Sequence, residues 1–226
     1  SLLDLTVLKY YKQMGFKLEE MRDLLNSEEY RKMERGFLEK INELQDEQLA
    51  VNVKLTSVTD WYELLVEAQT VIENDVRDVS VKFIEPKEYG FMDQAFIADD
   101  MEAVINLKWT EFLVNIGNEI TGAVNISFPS WKDRLSGACK KMRIMQEMIL
   151  PCKPEHLVQM GGEVMLTCYH IGPHDTIGET YEKIDQYAGQ QGYKLAKESW
   201  ERYVTDCWTT KNTDMYVTEI RIGASR

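Results

Sequence analysis

Hydrophobic positions along the 226 residues follow two rhythms, and the change comes near residue 75. Before it the period is helical. Leu2, Leu5, Leu8 and Tyr11 share one face of residues 2–14, and Gly15 closes that segment. Residues 17–25 (KLEEMRDLL) predict a second short helix, and Asn26 followed by Glu29 is an N-x-x-E start signal for a third. In the third, Phe37, Ile41, Leu44, Val51, Leu55, Val58, Tyr62 and Leu65 step by fours and threes, with Gln48 at the polar seam position. A 3.5-residue repeat sustained for about four heptads predicts a coiled coil. Glu39, Lys40, Glu43, Asp46, Glu47 and Lys54 occupy the other faces. The alternative is a long amphipathic helix packed on its own domain. Self-association is preferred because so long a seam has little else to cover it.

Beyond residue 75 the rhythm shortens to two. Val79, Val81 and Phe83 alternate with polar residues, so residues 79–84 predict a strand. Residues 101–119 predict an amphipathic helix with Val104, Ile105, Trp109, Phe112, Leu113 and Ile116 on its apolar face. Strands follow at 122–128 and 140–149. A strand at 163–169, a helix at 176–188 and strands at 195–205 and 215–222 repeat that order, with a turn over 209–214. The predicted fold is α+β: helices over 1–27, a dimerising helix over 28–75, and a domain over 76–226 in which a strand–helix–strand–strand unit occurs twice around an antiparallel sheet.

Composition narrows the function classes. No apolar run approaches the roughly 20 residues of a membrane span, so no membrane partner is expected and a cytoplasmic location is. Net charge is −12 and the pI about 4.8, a surface that phosphate backbones repel. Cys139, Cys152, Cys168 and Cys207 are scattered with no C-x-x-C pair, which predicts reduced structural thiols. His170 and His174 have metal-pair spacing, but Pro173 interrupts the helix such a pair needs. No metal site and no cofactor are expected, and no phosphate-binding or nucleophile motif occurs.

The chemistry gathers at the end of the chain. On ESWERYVTD, alternation puts Ser199, Glu201, Tyr203 and Thr205 on one face and Trp200, Arg202 and Val204 on the other. Tyr216, Thr218, Ile220 and Ile222 share a face of the next strand. In a hairpin, Glu201, Tyr203 and Tyr216 then share a surface, and a carboxylate among aromatic rings suits an organic cation. The alternative is a carboxylate paired with Arg202 or Arg221. Glu219, on the opposite face, is expected to pair with Arg221.

Several phrases resemble known families. LLDLTVLKYYKQMGFKLEEMRDLL is similar to the later helices of a MerR-family DNA-binding domain. YHIGPHDTIGETYEKIDQY (169–187), ESWERYVTD (198–206) and YVTEIRI (216–222) resemble a GyrI-like effector-binding domain. The resemblance implies a ligand-sensing homodimer joined through an antiparallel coiled coil, with a pocket for amphipathic, often cationic, aromatic effectors. It places the pocket glutamate at Glu201 and further pocket positions at Asn106, Trp109, Ile171 and Tyr216, with Trp109 open to a plain core reading. It also implies a winged helix-turn-helix ahead of this stretch in a full-length relative, so promoter DNA and RNA polymerase are expected partners of the full-length protein only. The rival implied reading is a GyrI-like hydrolase using Glu201 and Tyr203 on reactive small molecules. A module that binds a protein partner is a third.

Overall fold

The computed structural model describes residues 2–96 and 107–226. Two compact units divide inside one helix, residues 1–54 and 55–226.

In the first unit, α1 (Leu2–Gln13) ends where Gly15 takes φ +80°, a left-handed conformation that favours glycine. Helix α2 (Leu18–Leu25) follows, its first turn closed by Glu20 accepting from the Lys17 backbone N–H at 2.8 Å. Helix α3 (Tyr30–Glu73) begins in this unit. Tyr11, Phe16, Met21 and Leu24 form the core, with Phe37 packed against them. Phe37 stacks its edge 5.1 Å from Phe16 and is therefore drawn out of the expected seam into this small core. Asn26 caps the end of α2 rather than the start of α3, and Ser27 Oγ accepts from the Glu29 N–H instead. The remaining seam residues, Ile41, Leu44, Val51, Leu55, Val58, Tyr62 and Leu65, are exposed in the single chain.

The second unit combines the end of α3 with an eight-stranded antiparallel sheet in the order β1-β6-β8-β7-β3-β4-β2-β5. The strands are β1 (Ser80–Ile84), β2 (Lys87–Ala95), β3 (Val124–Phe128), β4 (Lys141–Gln146), β5 (Leu157–Met160), β6 (Glu163–Ile171), β7 (Lys194–Thr205) and β8 (Val217–Ser225). Helices α4 (Leu107–Asn115), α5 (Trp131–Leu135) and α6 (Ile177–Gln191) lie between them. The unit does occur twice, as β2-α4-β3-β4 and β6-α6-β7-β8, and the copies meet where β3 pairs with β7. The first copy opens with β2, not with the expected strand at 79–84. That strand, β1, pairs with β6 of the other copy, while β5 pairs with β2.

Helix α4 and strand β4 both end short of expectation. Helix α4 stops at Asn115, before Gly117 at φ +69°, and the predicted residues 101–106 lie outside the described ones. Strand β4 stops at Gln146 because Asn118 Oδ1 accepts from the backbone N–H groups of Ile149 and Leu150, at 3.1 and 3.2 Å.

One sheet face carries two apolar clusters. Trp109 and Leu113 of α4 pack on Ile126, Phe128, Ile144 and Tyr203. Ile177, Tyr181 and Ile184 of α6 pack on Leu166, Cys168, Ile220 and Ile222. On the other face Ala68 and Val71 of α3 meet Val204 and Val217. No described helix is long and apolar enough to cross a membrane.

Candidate ligand-binding site

Glu201 sits mid-strand on β7 opposite Ile126 and Ile220, with no exposed surface. Its Oε1 accepts from Arg134 Nε at 3.1 Å and from the Tyr181 hydroxyl at 2.9 Å. Its Oε2 accepts from the Tyr203 hydroxyl at 2.6 Å. Burial and the carboxylate both push the phenols of Tyr181 and Tyr203 well above their ordinary pKa, which keeps them donors. Arg134 comes from α5, which Ser130 starts by accepting from the Asp133 N–H at 3.2 Å. Its guanidinium also lies 4.9 Å from the ring centres of Phe96 and Phe128.

The cation beside Glu201 is thus neither Arg202 nor Arg221. Alternation sends both of those to the opposite face, where they meet the buried Glu219. Glu219 pairs with Arg221 at 2.6 Å as expected, and also with Lys82 at 2.9 Å and Arg202 at 3.4 Å. Burial alone would raise the Glu219 carboxyl, but these cations outweigh it and hold its pKa below the usual value. Arg202 also grips Glu67 of α3 with both terminal nitrogens, at 2.6 and 2.7 Å.

Tyr216, just ahead of β8, is buried and joins this neighbourhood through a residue that sequence reasoning set aside. The His174 ring lies 5.0 Å from Tyr203, edge-on, and 5.3 Å from Tyr216. Its Nε2 is buried without a hydrogen-bond partner among the described residues, and burial lowers its pKa. His170, by contrast, has both ring nitrogens engaged, by Thr180 and by the Pro173 carbonyl.

An apolar cavity of about 310 Å³ opens beside Tyr203. Trp61, Leu64 and Leu65 of α3 form one wall, and Trp109, Gln146, Tyr203 and Trp208 are among the others. Of the predicted residues, Trp109 and Tyr203 line it. Glu201 and Tyr216 do not line it: Glu201 is bonded to the Tyr203 hydroxyl, and Tyr216 lies against His174. Ile171 lies on the opposite sheet face, packed with the cluster under α3, because it pairs with Val217. Asn106 lies outside the described residues. Trp109 is both wall and core: its indole N–H donates to Gln146 Oε1 at 2.9 Å, and Gln146 donates to the Gly122 carbonyl at 3.0 Å.

Asp206 also lines the cavity and was missed. Only 8% of its surface is exposed. Its Oδ1 accepts from the Trp208 backbone N–H at 2.8 Å, and no basic side chain among the described residues pairs with it. Burial raises its pKa. Trp61 lies one residue off the seam position Tyr62, so the heptad pattern carries no signal for it. Asp206 and Trp208 follow the end of β7, where alternation stops being informative.

Comparison with curated proteins finds no match. Among solved structures, the EcmrR C-terminal domain superposes with a TM-score of 0.53 at 15% identity, covering 66% of this chain and 98% of that one. The EcmrR–DNA complex in EcmrR-RPo gives 0.50 at 17% identity, covering 100% of this chain and 83% of that one. A hydrolase from Listeria innocua gives 0.47 at 15% identity, over 66% and 93%. At these identities the two EcmrR likenesses are ones of fold. Residues 107–224, more than half of the chain, match the GyrI-like small molecule binding domain, and the chain belongs to that family.

Proposed function

We propose that this chain is the effector-sensing and dimer-forming part of a MerR-type transcription regulator, and that its effectors are amphipathic aromatic molecules held in the cavity beside Tyr203. The observation that carries this reading is the cavity wall supplied by α3. Trp61, Leu64 and Leu65 touch the space a ligand would fill, and the same helix carries the exposed seam. An occupant that packs differently against those three side chains in two helix settings shifts the balance between them. Contacts with promoter DNA and RNA polymerase belong, in this proposal, to a longer protein with a DNA-reading domain.

A binding role is favoured over a hydrolase. A pocket glutamate that activates water must reach the space the substrate fills. Glu201 is fully buried, does not line the cavity, and has its charge met by Arg134, Tyr181 and Tyr203.

N-phenyl-1-naphthylamine, which brightens in apolar surroundings, tests the cavity. The expected result is saturable binding at one site per chain, weakened at least about tenfold, or 1.4 kcal/mol, by Leu64→Trp, which fills the wall. Unchanged affinity in a folded Leu64→Trp protein would remove the cavity from the account.

A further inference from the structure

We propose that Asp206, and not Glu201, supplies the counter-charge of this cavity, so that the positive charge of an aromatic cation sits beside Asp206 and Trp208. The inference rests on the cavity being the ligand site and adds which carboxylate meets the charge of its occupant.

Two buried carboxylates compete for that role, and their surroundings separate them. Glu201 does not line the cavity, and Arg134 already answers its charge at 3.1 Å. The chain's own guanidinium occupies the space over Phe96 and Phe128 that a ligand cation at Glu201 would need. Asp206 differs on both counts. It lines the cavity, and among the described residues only a backbone N–H holds it. Among the described lining residues it is the single acidic one, and none is basic.

The aromatic walls point the same way. Trp61, Trp109, Tyr203 and Trp208 surround the space, and aromatic ring faces attract a cation where they repel an anion. A carboxylate in so apolar a cavity is costly without a partner, and an arriving cation relieves that cost. The turn that carries it is already formed: the N–H groups of Thr209 and Thr210 both donate to the Asp206 carbonyl, at 2.9 and 3.1 Å. About 310 Å³ is the lower end of ligand-pocket volumes, room for a compact fused ring.

The test uses two compounds of one shape, 1-methylquinolinium and neutral 1-methylnaphthalene, titrated calorimetrically into wild type and Asp206→Asn. Asparagine keeps the oxygen that accepts from Trp208 and removes the charge. Wild type is expected to bind the cation at least tenfold more tightly than its neutral twin. In Asp206→Asn the two affinities converge to within about threefold, 0.6–0.7 kcal/mol, through loss on the cation side. A preference that survives the substitution, or is absent from wild type, overturns the assignment while leaving the cavity as a ligand site. Failure of wild type to bind either compound overturns the cavity reading as well. Wild type alone gives an independent readout should the variant fold poorly. Acidification through the Asp206 titration is expected to weaken the quinolinium and leave the naphthalene unchanged, and parallel behaviour of the two contradicts the proposal.

Discussion

The Tyr203 hydroxyl donates to Glu201 Oε2 at 2.6 Å, and of these two neighbours on one strand face only the tyrosine reaches the cavity. Glu201 therefore bears on the cavity through the ring it holds. Tyr203→Phe keeps the ring and deletes the donor, leaving a buried carboxylate oxygen short of one hydrogen bond. The expected cost is about 1–3 kcal/mol, read from the urea midpoint, with N-phenyl-1-naphthylamine affinity changed less than about threefold. A tenfold loss of affinity would mean that the hydroxyl itself meets the ligand.

Arg134 and Glu201 make a second prediction. Arg134→Met leaves Glu201 without its cation in a site closed to water, and a loss of about 3–5 kcal/mol follows. The double variant Arg134→Met with Glu201→Gln removes both charges. Its loss is expected to fall short of the sum of the single losses by more than about 1 kcal/mol, since the two are in contact. Strict additivity in denaturation would show that the pair does not interact as the geometry indicates.

Much of this arrangement was legible beforehand because its signals are local. Alternation in ESWERYVTD placed Glu201 and Tyr203 on one buried face, and the strand–helix–strand–strand order appeared twice. What escaped was short, or assembled from distant parts. Strand β2 hides behind Gly90 and the charged Lys87, Glu88 and Asp93, although the missing Cβ at Gly90 leaves room for the end of the Met148 side chain. Helix α5 has five residues and no measurable period, yet it delivers Arg134. The cavity joins Trp61, Trp109 and Trp208 from three remote segments. Ile171, a pocket position by resemblance, packs with the cluster under α3, since which helix covers a strand face is a tertiary fact.

Asp206 gives a pH-dependent stability with a definite sign. Burial raises its folded-state pKa above that of the unfolded chain. The stability present at acid pH, below the unfolded carboxyl's pKa, is then lost as pH rises through the folded value. At neutral pH the ligand-free protein carries that cost, and Asp206→Asn removes it. The variant is expected to melt roughly 2 °C or more above wild type at neutral pH, with the gain shrinking toward about pH 4, the ordinary aspartate range. A variant that melts lower at neutral pH would show that the charge stabilises the fold.

The exposed α3 seam predicts self-association. Apolar side chains recurring every three or four residues along one helix are rarely left to water. Val51→Lys together with Leu55→Lys places two charges in the seam. Sedimentation equilibrium is expected to show a wild-type dimer whose dissociation constant rises at least about 100-fold in the double variant, near 3 kcal/mol. A monomeric wild type, or a dimer indifferent to both lysines, would put the association surface elsewhere.

The most direct measurement is the position of one atom. Crystals grown with a brominated 1-methylquinolinium and measured at the bromine edge report where the ring lies. The predicted anomalous peak falls among Trp61, Trp109 and Trp208, with Asp206 facing the ring nitrogen. A peak beside Glu201 with Arg134 expelled, or no ordered bromine at a saturating concentration, would contradict the account.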